Sequence, residues 1–486
     1  MVSPLFFSAI AGAIGFYFLS SVHAAIVVVV LLLSLFVLCF FRVLASFAMF
    51  TKEAHSQIFH VMAFCSAAFA VGLVFGLCAS EAGRNEVKFG IPHEKVTGIE
   101  GTLLEDPRVL SSGSVMVSVS LRRSSIAGEN VRVSSSGEIT MFFPQENVQR
   151  LKSFGRGTGI FAEGVLRSAE QGWTFSASSL HITKSASAIE RLRTNIRLNL
   201  LERFDGKSWG GLALALLVGV RDNLDSSLTS LYRDAGLSYI LALSGMHLAI
   251  IAAVIAFLLK KPLGLKAASI VGAVIISLYC LFVGPFPSLI RSTFMYLLSV
   301  LTLLGALPRK SISILSLSFL IQLIVTPAAG NSLSFILSYM ALFGILITSR
   351  HLSFLFKGFV PDFLLQPLSL SGGAFLATAG IVSFSFGKIA PIGIIAGLLI
   401  IPLTTVFMVV SMIWLVLDLF SVSFILNLPL SWIYRLMEIT TYIAGNIPGI
   451  TANPSFVLGF SILLLVLIAA LNNKRRTGLL KLKQFL

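Results

Sequence analysis

Residues 236–260 read GLSYILALSGMHLAIIAAVIAFLLK, and this stretch decides the fold. Between Tyr239 and Leu259 there is no Asp, Glu, Lys or Arg. A run of about 20 mainly apolar residues is long enough to cross a bilayer as a helix. The same character extends through most of the chain. Of its 486 residues 56% are hydrophobic and 12% are charged, against roughly 25% charged in a soluble domain. The mean hydropathy is +0.93. Such a chain cannot cover a folded surface with polar groups, which excludes a water-soluble globule, and its apolar content excludes a disordered one. The fold class is a polytopic α-helical membrane protein.

Outward from 236–260, apolar runs continue toward the C-terminus. Spans are predicted at 237–259, 263–284, 288–306, 311–328, 332–349, 368–386, 390–417, 422–445 and 455–471, with runs near Pro391 and Pro402 broken or re-entrant. Three more open the chain at about Leu5–Leu19, Ala24–Phe41 and Ile58–Cys78, giving ten to twelve in all. No Lys or Arg precedes Arg42, so the first run lacks the basic start of a cleaved signal peptide and is expected to be retained. Lys and Arg number 36 against 21 Asp and Glu, a net charge of +15. Arg42, Lys52, Lys260, Lys261, Lys266, Arg309, Lys310, Arg350, Lys357 and the tail Lys474–Arg476 fall on one common side if all the spans cross, and the positive-inside rule makes that side the cytoplasm. Lys388 falls on the other. The expectation is a plasma (inner) membrane protein with a cytoplasmic C-terminus. Five segments follow: transmembrane helices in 1–79, an inserted domain in 80–185, amphipathic and connecting helices in 186–235, a membrane domain in 236–471 and a basic tail in 472–486.

The insert is polar, rich in Ser and Gly, and β-patterned. Val115, Val117, Val119 and Leu121 alternate with small polar residues, Ile139, Met141 and Phe143 repeat the period of two, and Val131/Val133 and Leu180/Ile182 give shorter versions. Short runs between Gly and Ser clusters suit a small barrel or sandwich. It carries 12 Lys and Arg against 11 Asp and Glu, so the basic excess lies elsewhere. The helix-spaced stripe Ile189, Leu192, Ile196 and Leu200, with Arg191, Arg193 and Arg197 off it, fits either a helix lying on the membrane surface or a connector packed on the insert.

A few polar residues in the membrane block sit where they are costly. Arg291 follows Ser288 by three, and an arginine at the centre of a bilayer costs about 2.5–3.5 kcal/mol, so it is expected to face an aqueous path or a buried partner. The alternative is a residue that snorkels near the outer surface. His247, three residues after Ser244 and expected on the same helix face, is either part of that path or a hydrogen-bonded core histidine. A Ser–His pair suggests a nucleophile and base, but no acid lies within Tyr239–Leu259 to orient the imidazole. The histidines form no HxH or HExxH pair, the four cysteines no CxxC, and Gly206-Lys207-Ser208 has Leu201 where a phosphate-binding loop needs its first glycine. No metal, cofactor, catalytic residue or nucleotide hydrolysis is expected.

In these residues the chain resembles the ComEC competence family, polytopic proteins that admit single-stranded DNA through the inner membrane. Gly236–His247 is similar to the family signature GLxHLLAISGLH. Ala215–Gly219 resembles its ALLxG lead-in, Pro287–Met295 its SxxRAxxM segment, Ser334–Ala341 its GFQLSFLA, and Phe386-Gly387 and Ile401-Pro402-Leu403 its later landmarks. Gly101–Pro107 matches the opening of the family's extracytoplasmic OB-like domain. Tyr239, Ile336 and Gly397 depart from the pattern, standing where the family has His, Gln and Asn. Family members often continue into a metallo-β-lactamase-like nuclease domain, for which the residues after Leu471 leave no room.

The resemblance implies an OB-like insert outside the cell and a channel importing single-stranded DNA during natural transformation. Membrane lipid, an outside DNA receptor, a cytoplasmic motor and a separate nuclease are the expected partners, and a homo-oligomer is possible. Stripping phosphates of water without replacement is too costly, so a polar route is needed. Ser244, Gly245, His247, Ser288, Arg291, Ser334 and Ser338 are placed along it. Bases stack on aromatic platforms in single-strand binders. Phe142, Phe143 and Trp173, with Phe161, Phe175, Arg122, Arg123 and Arg132 near them in the insert, either serve that purpose or fill a barrel core. A small-solute or lipid transporter and an intramembrane hydrolase are the competing readings.

Overall fold

The computed structural model describes residues 4–21, 87–110, 112–126, 132–169, 172–221, 223–284, 286–305 and 310–451, with scattered helical positions in 65–76 and 453–464. The expected spans at 24–41 and most of 58–78 and 455–471, Val131, and the basic tail lie outside them. The chain forms two compact units, Glu81–Ser226 and a second made of Met1–Ser80 with Ser227–Leu486.

The first unit is a closed five-stranded barrel. Strands β1 (Gly98–Leu103), β3 (Val115–Ser125), β5 (Glu138–Phe143), β7 (Gly172–Ala177) and β6 (Gly159–Ala169) pair in that order around the ring, and β1 pairs with β6 to close it. Every pairing in the ring is antiparallel except β5 with β7. This connectivity is that of an OB-like barrel. Short strands β2 (Arg108–Val109), β4 (Arg132–Ser134) and β8 (His181–Lys184) are appended to it. The alternation along β3 and β5 delivers Val115, Val117, Val119, Leu121, Ile139, Met141 and Phe143 to the interior. Leu151, from the one-turn helix α2 (Val148–Lys152) that follows β5, is fully buried in the same core. At the bulge between Glu100 and Gly101 a Cβ on Gly101 would meet Val119 and the Ser120 carbonyl at 2.4 Å, so only glycine allows β1 to lie so close to β3. The pattern reading fails at β8, where Ile182 is exposed although Leu180 just before it is buried.

Helix α3 (Ala188–Phe204), capped by Ser187, packs on this barrel through its arginines. The Asp106 carboxylate, in the turn after β1, accepts both Nη atoms of Arg193 at 3.1 and 2.8 Å, with Arg197 Nε 3.8 Å away. Arg156 donates to Glu190 at 2.8 Å. The polar face is thus spent on the barrel, and Ile189 (80% exposed) and Leu192 (62%) point away from it. Helix α4 (Gly210–Val218) completes the unit.

The second unit is helical: α1 (Pro4–Ser21), α5 (Ser226–Asp234), α6 (Ser238–Leu241), α7 (Gly245–Val283), α8 (Pro287–Leu304), α9 (Ser311–Val325), α10 (Leu333–Phe356), α11 (Asp362–Phe386), α12 (Ile392–Asp418) and α13 (Asn427–Gly445). Among the described residues α7, α8, α10, α11 and α12 are long and apolar enough to cross a membrane, so the protein is a multi-pass membrane protein. At 15 residues α9 is shorter than a full span, and α12 runs unbroken through Pro402.

Helix α7 is two antiparallel arms. Gly264 has φ +74° and ψ 167°, outside the helical region, and follows Pro262. A straight helix of 39 residues would be about 58 Å long, yet its two ends meet, because Ser288 Oγ donates to the Leu243 carbonyl at 2.5 Å. Midway, a Cβ on Gly272 would lie 3.7 Å from Ile255 of the first arm and 2.6 Å from the Tyr296 hydroxyl of α8. Each arm, of roughly 19 residues and about 28 Å, matches the hydrocarbon thickness. The two predicted spans at 237–259 and 263–284 are therefore present, but the first begins eight residues later than its hydropathy suggests. Residues 238–241 form a separate short helix, and Ala242 is extended.

Lys388, out of place by charge bias, pairs with Asp234 at 2.6 Å. Its charge is locally neutralised.

Candidate functional site

The late start of α7 changes what Ser244 and His247 do. Ser244 is the N-cap (φ −127°, ψ 172°) rather than a residue on the helix face. Its Oγ accepts from the Met246 N–H at 3.3 Å, and the His247 Nδ1 accepts the Ser244 N–H at 3.0 Å. This is a reciprocal capping box with histidine in the place usually taken by Glu or Gln. The Ser244 hydroxyl also lies 3.0 Å from Nδ1, but that nitrogen's lone pair already serves the backbone N–H. The pair is arranged to start a helix, not to activate a nucleophile. His247 is fully buried, and its Nε2 meets no hydrogen-bond partner of good geometry among the described residues.

Gly245 comes next, at the first turn of α7, against α8. A Cβ there would sit 2.6 Å from Ser292 Oγ and 2.9 Å from Arg291 Nη2. The sequence GMH thus supplies a cap and a smooth wall against which the arginine lies.

Arg291 is only 7% exposed. Its Nη1 donates to the Ser338 backbone carbonyl of α10, its Nη2 lies 3.4 Å from Ser292 Oγ, and its guanidinium carbon is 5.7 Å from the centre of the Tyr339 ring. Nε has no partner. Among the described residues no carboxylate pairs with Arg291, so a buried cation is held by dipoles and a π face alone. The support continues behind it. Tyr339 Oη donates to Gln322 Oε1 at 2.9 Å, and Gln322 Nε2 donates to the Pro287 carbonyl at 2.9 Å. Gln322 is fully buried in α9. The first turn of α8, the last turn of α9 and the first half of α10 are thereby joined by one polar network.

The seven predicted path residues divide accordingly. Ser244, Gly245, His247, Ser288 and Arg291 lie together where α7 begins and α8 starts. Ser338 joins them through its carbonyl, not its hydroxyl. Ser334 is exposed and outside the network. Ser288 is a staple between Leu243 and α8 rather than a free hydroxyl. His247, Ser288 and Arg291 are enclosed in this conformation and line no open corridor. Sequence reasoning missed Tyr339 and Gln322. A lone amide inside the apolar run 311–328 was a readable signal for Gln322, whereas a tyrosine beside aromatic neighbours carries none.

In the insert, Phe143 and Phe175 are buried in the barrel core, which corrects the assignment of Phe143 as a stacking surface, since no ring face is open to a base. Trp173 is half-buried, edge-on to Phe89 at 6.1 Å and tilted against His93 at 5.0 Å. Phe142 is half-buried on β5, outside the core.

The three departures from the family signature also have places. Tyr239 and Gly397 adjoin each other: the Tyr239 hydroxyl lies 3.1 Å from where a Cβ on Gly397 would be, so a large and a small residue share the space. Ile336 packs on the apolar cluster of Phe16, Leu315 and Phe335.

The chain is 28% identical over 305 residues to an uncharacterized protein of Aquifex aeolicus (strain VF5), covering 60% of this chain and 70% of that one. It is 30% identical over 138 residues to ComE operon protein 3 of Bacillus subtilis (strain 168), covering 26% of this chain and 17% of that one. Residues 216–476, more than half of the chain and including the whole Arg291 network, match the competence protein family; the protein belongs to that family.

Proposed function

We propose that this chain is an inner-membrane channel through which single-stranded DNA enters the cell during natural transformation. One observation carries the reading beyond family membership: Arg291 is a buried cation with no counter-charge among the described residues, anchored by a carbonyl and an aromatic face. An isolated charge buried among membrane-spanning helices is expensive and marks a functional path. Anchors of this kind can be exchanged for a phosphate oxygen, which would supply the missing negative charge and a charge-assisted hydrogen bond. The enclosed arrangement is then the closed state of a gate, and entry of the strand substitutes phosphate for the Ser338 carbonyl.

In this scheme Lys260, Lys261 and Lys266 at the turn of α7 face the cytoplasm. The Arg291 network, at the other end of the arms, then sits toward the outer surface. The β-barrel lies outside, where Phe142 and Trp173 offer the aromatic surface left to a base. The exposed apolar face of α3 rests on the lipid surface. A DNA receptor outside, a cytoplasmic motor and a separate nuclease complete the pathway.

The test is uptake of end-labelled single-stranded DNA by cells or vesicles carrying the full chain, with Arg291→Lys, Arg291→Gln and Arg291→Ala compared at equal membrane abundance. Uptake is expected to fall at least about tenfold for Gln and Ala, the order expected for a lost charge-assisted contact, and less for Lys. Equal uptake by all four would refute the reading.

A further inference from the structure

Away from the Arg291 network, α10 and α11 form a tight hairpin. They touch backbone to backbone where a Cβ on Gly344 would meet the Gly373 carbonyl at 2.2 Å. Nearer the turn the residues are larger, and the helices leave a cavity of about 360 Å³, within the range of small-ligand sites. Its wall has two chemistries. Arg350, Ser349 and Ser353 come from the last turns of α10 and Asp362 from the start of α11, while Leu365, the neutral amide Gln366 and Leu370 line it further along α11. Arg350 and Asp362 form no ion pair with each other or with any other described residue, although they face the same space.

The surroundings identify the medium. Phe359 (85% exposed) and Phe363 (76%) protrude from the turn, with Phe356 and Lys357 beside them. Exposed aromatics and cations at the end of a membrane hairpin are the anchors of the lipid headgroup region. Arg350 lies about 26 Å along α10 from Leu333, close to one hydrocarbon thickness.

We infer that this cavity holds the headgroup of phosphatidylethanolamine, with the phosphate on Arg350 and Ser353, the ammonium on Asp362, and the first acyl carbons along Leu365 and Leu370. Charge balance selects a zwitterion. The wall carries one cation and one anion that leave each other unpaired, so a ligand with both charges satisfies both. An anionic lipid, inorganic phosphate or a DNA phosphate would leave the Asp362 carboxylate facing a second negative group. Three N–H donors on a primary ammonium suit a carboxylate better than the quaternary head of phosphatidylcholine, which has none.

The experiment is native mass spectrometry of the full chain after exchange into equimolar phosphatidylethanolamine, phosphatidylglycerol and phosphatidylcholine. Phosphatidylethanolamine should be retained about tenfold over phosphatidylglycerol, the ratio one charge-assisted hydrogen bond supports. Asp362→Asn, isosteric and at an exposed position, should bring that ratio to within about twofold while total bound lipid holds. Arg350→Ala should lower retention of all three; if it fails to fold, Asp362→Asn decides alone. Equal retention of phosphatidylglycerol by the unaltered protein, or an undiminished preference in Asp362→Asn, overturns the inference. Glycerophosphoethanolamine, which has the headgroup without chains, is added as a competitor. Displacement by it at the lipid's own concentration would show a site for a soluble zwitterion and would also overturn the lipid assignment.

Discussion

Replacing Gly245 with alanine adds one methyl group at the point where α7 meets Arg291. That methyl would lie 2.6 Å from Ser292 Oγ and 2.9 Å from Arg291 Nη2, and neither atom is free to swing away. Ser292 Oγ is bonded to the Ser288 carbonyl at 2.8 Å, and the guanidinium is fixed to the Ser338 carbonyl. Overpacking of this kind costs about 1–3 kcal/mol. Gly245 is not among the residues with positive φ, so alanine is compatible with the backbone and regains about 0.4–1 kcal/mol through the unfolded chain. The net expectation is a loss of up to about 2.6 kcal/mol, centred on about 1 kcal/mol. Ser292→Ala removes the nearer obstacle, so the double variant should recover part of the loss, with a coupling of about 0.5–1.5 kcal/mol. Reversible unfolding by dodecyl sulfate in mixed micelles measures the four-way cycle, and DNA uptake by the same variants reports on the gate. Additivity within about 0.3 kcal/mol, with no loss in the single variant, would refute the close approach of Gly245 to Arg291 on which the site description rests.

Three further outcomes follow from the geometry. Tyr339→Phe keeps the ring beside Arg291 but leaves the buried Gln322 oxygen without its donor, so unfolding should show a loss of about 1–3 kcal/mol, while Gln322→Leu in the same background should recover part of it. Asp106→Asn weakens the fork to Arg193; because the pair is still partly exposed, a loss of about 1–2 kcal/mol is expected, seen as faster hydrogen exchange in α3 with the barrel strands unchanged. Lys388→Met breaks an ion pair whose partners are both about two-fifths exposed, and stability measured at low and high salt should change by less than about 1 kcal/mol.

The membrane class, the barrel and the neighbourhood of Arg291 were legible because each rests on a local signal. Hydropathy marks a span whatever it packs against, and the period of two in Val115–Leu121 marks a strand with one face inward. An arginine in an apolar helix signals its own cost. Local signals cannot report where a helix begins within an apolar run. Residues 237–244 are as hydrophobic as those that follow, so the extended Ala242 and the cap at Ser244 were hidden, and with them the role of His247. Nor can they separate two aromatics on one strand with opposite fates: Phe142 and Phe143 differ only in which face of β5 they occupy. Gln322 and Tyr339 became partners of Arg291 through contacts 17 to 48 residues apart, which no single helix pattern encodes. The exposed apolar face of α3 illustrates the same limit, since amphipathicity states that two faces differ and not which one the protein covers.

The joint at Gly264 also governs how the chain enters a bilayer. With nothing but Pro262, Leu263 and Gly264 between its arms, no loop is available to wait in water while one arm is threaded alone. The two arms must be handed to the membrane together, and in the orientation proposed above Lys260, Lys261 and Lys266 stay behind as a common stop. Because nothing lies within 4 Å of a Cβ built on Gly264, a larger residue there would disturb only the turn's left-handed backbone. Its effect would therefore register during biogenesis, as less protein delivered to the membrane, before it registered as weakness in the molecules that arrive.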